Sequence, residues 1–469
     1  MGEASSVSGG GVATGIRMKT ADTELLARMD GATLKARYWA TFALIVLLLV
    51  CEIFDFFVVG YLVSAVAPLW KLTFGQTTVM LLSAGVGAMI GAPTFGWIAD
   101  RFGRKVVVVA SATLCCVCAG AVAFVPDGGW IAFALLRFMV GVGYGGAGAS
   151  QFALIAEYTP TARRTFLTSS LGVPAGVGLL LASLVVSSLF GVLGWRGTAA
   201  LAFIPILLAL AAAFIAPESA RWLLSKGKTQ EARKAAASML DLSASGTTAP
   251  RSGPAPAVGA ETYSRARRLW LVVLVQLGLG TTLAGVTLWG PTVLAQLLDL
   301  TPRRAATYFI GISLAGLVGR MVMTVLAQRI GRVPTGWIVG YGGAAALALA
   351  AAFHQSWLYG APLFFVFLLA AQFFYDGGFS NVTTYAAELF PVRFGARAMG
   401  LSAASGGAGK IVGPLVLGLL AGTGNLVTPH ATEHAVAPAF FFLAGACLVV
   451  GLSYSLLGVE THRRTLALG

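Results

Sequence analysis

Residues 38–66 read YWATFALIVLLLVCEIFDFFVVGYLVSAV. The run exceeds the roughly 20 apolar residues with which an α-helix crosses the hydrocarbon core of a bilayer. It also carries two acids, Glu52 and Asp55, near its middle. On insertion scales a carboxylate at that depth costs roughly 2.5–3.5 kcal/mol. Three residues apart, the two share one helix face, which has to meet a bundle interior or a wet cavity and not lipid. A buried structural polar pair meets that condition, and so does an ion or proton site. The second reading accounts for the cost, because acids inside membranes mark ion pathways and proton relays.

The rest of the chain has the same character. A mean hydropathy of +0.83 with only 11% charged residues describes a polytopic membrane protein and excludes a soluble core. Twelve apolar spans are expected near 38–66, 77–98, 106–125, 130–155, 167–191, 196–216, 268–293, 305–327, 334–353, 358–384, 397–421 and 436–458. An even number puts both termini on one side. Of the Lys and Arg outside the spans, only Lys71, Arg196, Arg303 and Arg304 fall in odd-numbered loops. That bias assigns the termini and central loop to the cytoplasm of a cell membrane, the inner membrane if the source is bacterial. The net charge of +14 is thus a feature of topology, with anionic-lipid contact as a by-product and no nucleic-acid partner. Residues 1–37 show no signal-peptide pattern, so the first span directs insertion. Cys51, Cys115, Cys116, Cys118 and Cys447 all fall in spans without metal-ligand spacing to histidine, so they read as packing residues and no metal is expected.

The expected division is an N-terminal cytoplasmic tail 1–37, a six-helix bundle 38–216, a cytoplasmic central loop 217–267, a second six-helix bundle 268–458 and a C-terminal tail 459–469. In the loop, PESARWLLSKGKTQEARKAAASML has helical composition and is expected to lie as short helices on the cytoplasmic face. Residues 243–260, rich in Ser, Thr, Ala, Gly and Pro, read as a linker. The halves repeat each other. Ala99-Asp100-Arg101-Phe102-Gly103-Arg104 recurs as Ala327-Gln328-Arg329-Ile330-Gly331-Arg332, and Ala156-Glu157-Tyr158-Thr159-Pro160 recurs at nearly the same offset as Ala387-Glu388-Leu389-Phe390-Pro391. Two parallel repeats about an axis along the membrane normal are a transporter plan, with the site between halves near the midplane. The fold class is therefore an all-α membrane protein of twelve transmembrane helices in two pseudo-symmetric six-helix bundles.

These motifs resemble the major facilitator superfamily. Gly96-Trp97-Ile98-Ala99-Asp100-Arg101-Phe102-Gly103-Arg104-Lys105 matches its hallmark loop, G-x-x-x-D-R-x-G-R-[KR]. Arg137-Phe138-Met139-Val140-Gly141-Val142-Gly143-Tyr144-Gly145-Gly146 looks like its fourth-span Arg-and-glycine motif. Pro217-Glu218-Ser219-Ala220-Arg221-Trp222-Leu223-Leu224 is similar to the branch holding sugar/proton symporters, aromatic-acid/proton symporters and organic ion transporters. The second hallmark copy has Gln328 in place of Asp100, so its charge lock should be weaker. The resemblance implies that Asp100, Arg101, Arg104, Glu157 and Arg164 hold the outward-open state, with Arg329, Arg332, Glu388 and Arg397 as the counterpart set. Exposed ion pairs of about 0–1 kcal/mol suit a latch that opens every cycle.

Two further motifs have bland readings. Gly141, Gly143 and Gly146 satisfy G-x-G-x-x-G, but a dinucleotide fingerprint needs a preceding strand; in an apolar helix the glycines serve close packing. The sequon Asn381-Val382-Thr383 falls inside a span. No Walker loop supplies ATP as an energy source, so the proton gradient is expected to serve, with no cofactor.

The remaining charges inside spans are Arg137, Arg320, Asp376 and Lys410, which with Glu52 and Asp55 make three acids and three bases. Pairing could neutralise them all; a proton-coupled solute pathway needs such groups too, since a carboxylate there must change its protonation as access alternates. By resemblance Asp55 and Arg137 occupy the positions of a coupling pair, with Glu52 the alternative proton carrier. Lys410 and Arg320 are the expected substrate-anion contacts. Asp376 can neutralise at most one of them. Related acid transporters carry the eleventh-span base about one turn earlier, where this chain has Gly407. In the aromatic run Phe373-Phe374-Tyr375-Asp376, Phe374 and Tyr375 are expected to reach the cavity beside Asp376. The resulting expectation is a monomeric proton-coupled symporter of a small organic anion, an aromatic or short-chain carboxylate, working by alternating access. The alternatives are a sugar or neutral-metabolite symporter, or a drug/proton antiporter, of the same fold. A substrate-sensing receptor would need a large folded cytoplasmic domain. An enzyme would need a nucleophile, metal or cofactor constellation that the sequence lacks.

Overall fold

A computed structural model describes residues 20–242, 265–390 and 392–461; the linker 243–260 and the outer parts of both tails lie outside the described residues. The first half comprises α1 (Thr20–Gly31), β1 (Thr33–Leu34), α2 (Ala36–Leu69), α3 (Phe74–Phe102), α4 (Arg104–Ala121), α5 (Trp130–Tyr158), α6 (Thr161–Ser170), α7 (Pro174–Ala200) and α8 (Ile206–Ile215). Next come α9 (Ala220–Ser225), α10 (Thr229–Met239) and β2 (Leu240–Asp241). The second half comprises α11 (Arg265–Leu297), α12 (Pro302–Arg329), α13 (Arg332–Ala352), β3 (Trp357–Leu358), β4 (Ala361–Pro362), α14 (Leu363–Leu389), α15 (Val392–Leu420) and α16 (Pro429–Leu457).

The ends of the long helices follow from local chemistry. Thr73 and Gln76 form a reciprocal capping box at the start of α3, satisfying two otherwise orphan donors. Thr301 and Thr428 cap α12 and α16, each followed by a proline, whose missing N–H costs nothing at the first helical position. Among the described residues eleven helical runs are long and apolar enough to cross a bilayer, and one of them, Pro174–Ile215, has 42 residues. At 1.5 Å per residue such a run would be about twice the thickness of the hydrocarbon core. It folds back at Gly194, where φ is +62° and ψ −172°, a conformation open to glycine. The two legs, 174–193 and 195–215, bring the count to twelve.

The two halves are built alike. In the first, α5 packs against α3 and α4; in the second, α11 packs against α15, α12 against α14, and α13 against α16. A Cβ on Gly141 or Gly145 would strike the carbonyls of Ala84 or Ala88 on α3, and one on Gly146 would meet the Phe95 ring. The glycine run therefore serves helix contact, as expected for small residues at a membrane helix seam. The halves meet where α7 lies against α12 and α3 against α15.

One end of that seam is shut. Val427 donates to the Leu72 carbonyl at 3.0 Å, Phe74 to that of Asn425 at 2.8 Å, and Gly75 to that of Thr423 at 3.0 Å. Phe74 stacks on Trp289 at 5.5 Å, and Arg303 Nε donates to the Ser187 carbonyl at 2.8 Å. These contacts lie at the end opposite the chain termini. Toward the terminus-bearing end, Gly148, Gly400 and Gly407 face open space.

Residues 20–34 add structure where composition suggested only a tail. Leu25 and Met29, one turn apart on α1, are buried with Ala232, Ala236 and Met239 of α10 and with Tyr38 and Leu154. β1 pairs antiparallel with β2. The helices foreseen in the central loop, α9 and α10, thus form with α1 a platform under the first half.

Candidate functional site

Four of the six charges inside spans form two buried ion pairs. Arg137 on α5 reaches Asp55 on α2, with Nη1 to Oδ2 at 2.8 Å and Nη2 to the Asp55 main-chain carbonyl at 3.1 Å; Arg137 is 1% exposed. Arg320 on α12 grips Asp376 on α14 with both arms, Nε to Oδ2 at 2.9 Å and Nη2 to Oδ1 at 2.7 Å. Each pair ties two helices of one half. In the low-dielectric interior such bidentate geometry offsets part of the desolvation cost.

Glu52 and Lys410 stand outside these pairs. Glu52 Oε1 accepts the Gln151 amide N–H at 2.7 Å. Lys410, on α15, projects across the seam to the first half, where its Nζ lies 5.1 Å from the centre of the Phe56 ring and 5.4 Å from that of Tyr144. Those rings stack on each other at 5.5 Å. An ammonium over two aromatic faces is held by their quadrupoles, worth about 0.5–1 kcal/mol at an exposed site and about 2 kcal/mol when desolvated, yet its charge is not cancelled. No carboxylate pairs with it among the described residues. An amine between halves, against aromatic faces and beside the open space at Gly407, is suited to meet an anion with an aromatic or unsaturated body.

Four expected site residues of the second half need correction. Arg320 is not a free cation, since Asp376 takes both its arms; Asp376 is correspondingly spent on Arg320 and not on a solute. Tyr375 is fully buried and donates to Gln372, so it does not line the seam. Phe374 packs against Gly342 of α13, within its own half. The run was misread because helical rotation turns successive residues some 100° apart, so adjacent side chains could not all face one cavity.

At the terminus-bearing end the charges form one network per half. Arg104 reaches Asp100 at 3.0 Å and Glu157 at 3.5 Å, while Arg101 lies over the Trp97 and Phe102 rings. Arg332 meets Glu388 in a fork, at 3.2 and 2.7 Å; Arg329 is exposed, and the Arg397 side chain lies outside the described residues. Arg164 departs from expectation: it pairs with Asp30 of α1 at 3.0 Å, and Arg221 joins the same carboxylate at 3.3 Å. Among the described residues no ion pair joins the two networks, in keeping with an end that is unlatched.

The sequence reading missed a third element of the repeat. Glu218 accepts the N–H groups of Arg104 at 2.8 Å and Lys105 at 3.2 Å, at the start of α4. Glu460 accepts those of Arg332 and Val333 at 3.0 Å, at the start of α13. The next residues match as well: the Ser219 hydroxyl donates to Glu157, and the Thr461 hydroxyl to Glu388 at 2.6 Å. A carboxylate at a helix N-terminus is stabilised by its free N–H groups and dipole. Gly103 and Gly331, at φ +108° and +106°, leave room for these acids, which a Cβ would strike.

Comparison with known proteins agrees with this architecture. Residues 42–468 match the family described as Sugar (and other) transporter. The niacin transporter NiaP of Acinetobacter baylyi is 26% identical over 87% of this chain and 91% of its own. The cis,cis-muconate transport protein of the same organism is 26% identical over 79% and 85%. The gallate transporter of Pseudomonas putida is 27% identical over 84% and 88%. A structure of the xylose transporter XylE from E. coli, in a partially occluded inward-open conformation, has the same fold, with a TM-score of 0.69 at 18% identity over 91% of this chain and 99% of that one. The twelve-helix duplicated fold and the match across nearly its whole length show that this chain belongs to the sugar (and other) transporter family of the major facilitator superfamily, a family of membrane transporters.

Proposed function

We propose that the chain is a proton-coupled symporter of a small organic anion, an aromatic or short-chain carboxylate, working by alternating access as a monomer. Both termini and the central loop lie in the cytoplasm, and the membrane is the inner one if the source is bacterial. The single observation that carries the reading is Lys410, a cation in the seam with aromatic faces beside it and no carboxylate partner among the described residues. The solutes of the similar transporters, niacin, cis,cis-muconate and gallate, are all carboxylates. A shut end opposite the termini and separate charge networks at the terminus end correspond to an inward-facing state. A neutral-sugar reading leaves the Lys410 charge without a role.

Thermal unfolding of the purified protein against paired ligands tests this. Nicotinate, gallate and cis,cis-muconate are expected to raise the midpoint, since a ligand at 100 times its Kd adds about 2.7 kcal/mol. Nicotinamide, equal in size and uncharged, should not. Equal stabilisation by acid and amide, or stabilisation by xylose alone, would overturn the reading.

A further inference from the structure

With Asp55 and Asp376 neutralised by arginines, Glu52 is the one buried acid inside the described spans without a cationic partner. It is 7% exposed. Its Oε1 holds one hydrogen bond, from Gln151, while its Oε2 and the amide oxygen of Gln151 are buried with no partner. A small cavity beside it is lined by Leu48, Cys51, Asp55, Ala112, Cys115 and Cys116. The titratable groups there are three thiols and an aspartate already held by Arg137. None supplies a positive charge.

Such surroundings do not suit an ionised carboxylate, which when buried needs a counter-ion or several N–H donors. They suit a carboxylic acid. Its O–H has an acceptor to hand in the Gln151 amide oxygen, because turning that amide over exchanges donor for acceptor in place. We propose that Glu52, rather than Asp55, carries the transported proton, and that Gln151 is the positioning residue that follows its charge. When Glu52 is ionised the amide N–H donates to it; when Glu52 is protonated the amide oxygen accepts from it. Asp55 stays ionised and anchors Arg137.

This assignment rests on the reading of the chain as a proton-coupled carrier, and it supplies a coupling rule. Glu52 and Phe56 are four residues apart on one face of α2, about one turn, and Lys410 lies over Phe56. When the proton passes from Glu52 to water, the remaining carboxylate is one turn from the level of the other unpaired charge. With Glu52 ionised and Lys410 charged, the empty carrier moves no net charge from these two groups. With Glu52 protonated, the Lys410 charge is balanced by a solute carboxylate instead, so one proton enters with each carboxylate.

Infrared difference spectroscopy of the purified protein, titrated across pH with no substrate present, reads the proton directly. The carbonyl stretching band of a protonated carboxylic acid is expected to fade as pH rises, to be absent in Glu52→Gln, and to persist in Asp55→Asn. In Gln151→Leu the ionised form loses a charged hydrogen bond and the protonated form a weaker neutral one, so the midpoint should move up by about one pH unit. The band should also shift in frequency as its hydrogen bond is lost. A band that survives in Glu52→Gln and vanishes in Asp55→Asn would overturn the proposal, as would an unmoved midpoint in Gln151→Leu. Because no transport is measured, a chain that binds no carboxylate would leave this result standing and would overturn only the functional reading.

Discussion

Replacing Lys410 by alanine is expected to weaken carboxylate binding by about ten- to a hundredfold, the worth of one charged hydrogen bond of about 1.5–3 kcal/mol. The amine is held in this structure by two aromatic faces, and an anion can take it without displacing an ion pair. Lys410→Arg should cost less, because it keeps the charge and adds a planar fork that matches a carboxylate. Titration calorimetry with the acid that stabilises the wild type gives the comparison. Unchanged affinity in Lys410→Ala would remove this residue from the site. The open space at Gly407 leaves the amine approachable from the terminus-bearing side.

Arg137→Ala should be the most damaging change to the fold. Arg137 bonds both the carboxylate and the main-chain carbonyl of Asp55, and Asp55 is 8% exposed. Removing one partner of a buried pair typically costs about 3–5 kcal/mol, because the other charge is left uncompensated. The midpoint of thermal unfolding in detergent should fall markedly in Arg137→Ala, and Asp55→Asn/Arg137→Gln, which removes both charges, should recover most of the loss. A wild-type midpoint in the single variant would mean that the pair contributes little to holding α2 against α5.

The span pattern was legible because hydropathy is additive along the chain and needs no knowledge of partners. Even the merged run 174–215 was resolved in the sequence, since no single helix of that length fits a bilayer. Pairings were legible only in part. The charges of Asp55, Arg137, Arg320 and Asp376 were visible as a balance, but which acid meets which base depends on helix rotation and on neighbours far apart in the chain. Lys410 against Tyr144 is such a case: a base in one half finds rings in the other, and nothing local to either marks the contact. The same rotation removed Phe374 and Tyr375 from the candidate site. Helix α1 escaped notice because the Gly- and Ser-rich start of the chain dominated the composition of residues 1–37, whereas the signal was the pair Leu25 and Met29 one turn apart. Glu460 and Thr461 escaped because what they share with Glu218 and Ser219 is only an acid followed by a hydroxyl, too little to register without the helix start that the acid caps.

The central claim, that a carboxylate and a proton cross together, is tested most directly in proteoliposomes with an imposed pH difference. The account predicts that labelled nicotinate, or whichever acid stabilises the protein, accumulates when the outside is more acidic. A protonophore should abolish the accumulation, and the Glu52→Gln variant should lack it. Uptake that ignores the pH difference and the protonophore, or that favours the uncharged amide, would contradict the account.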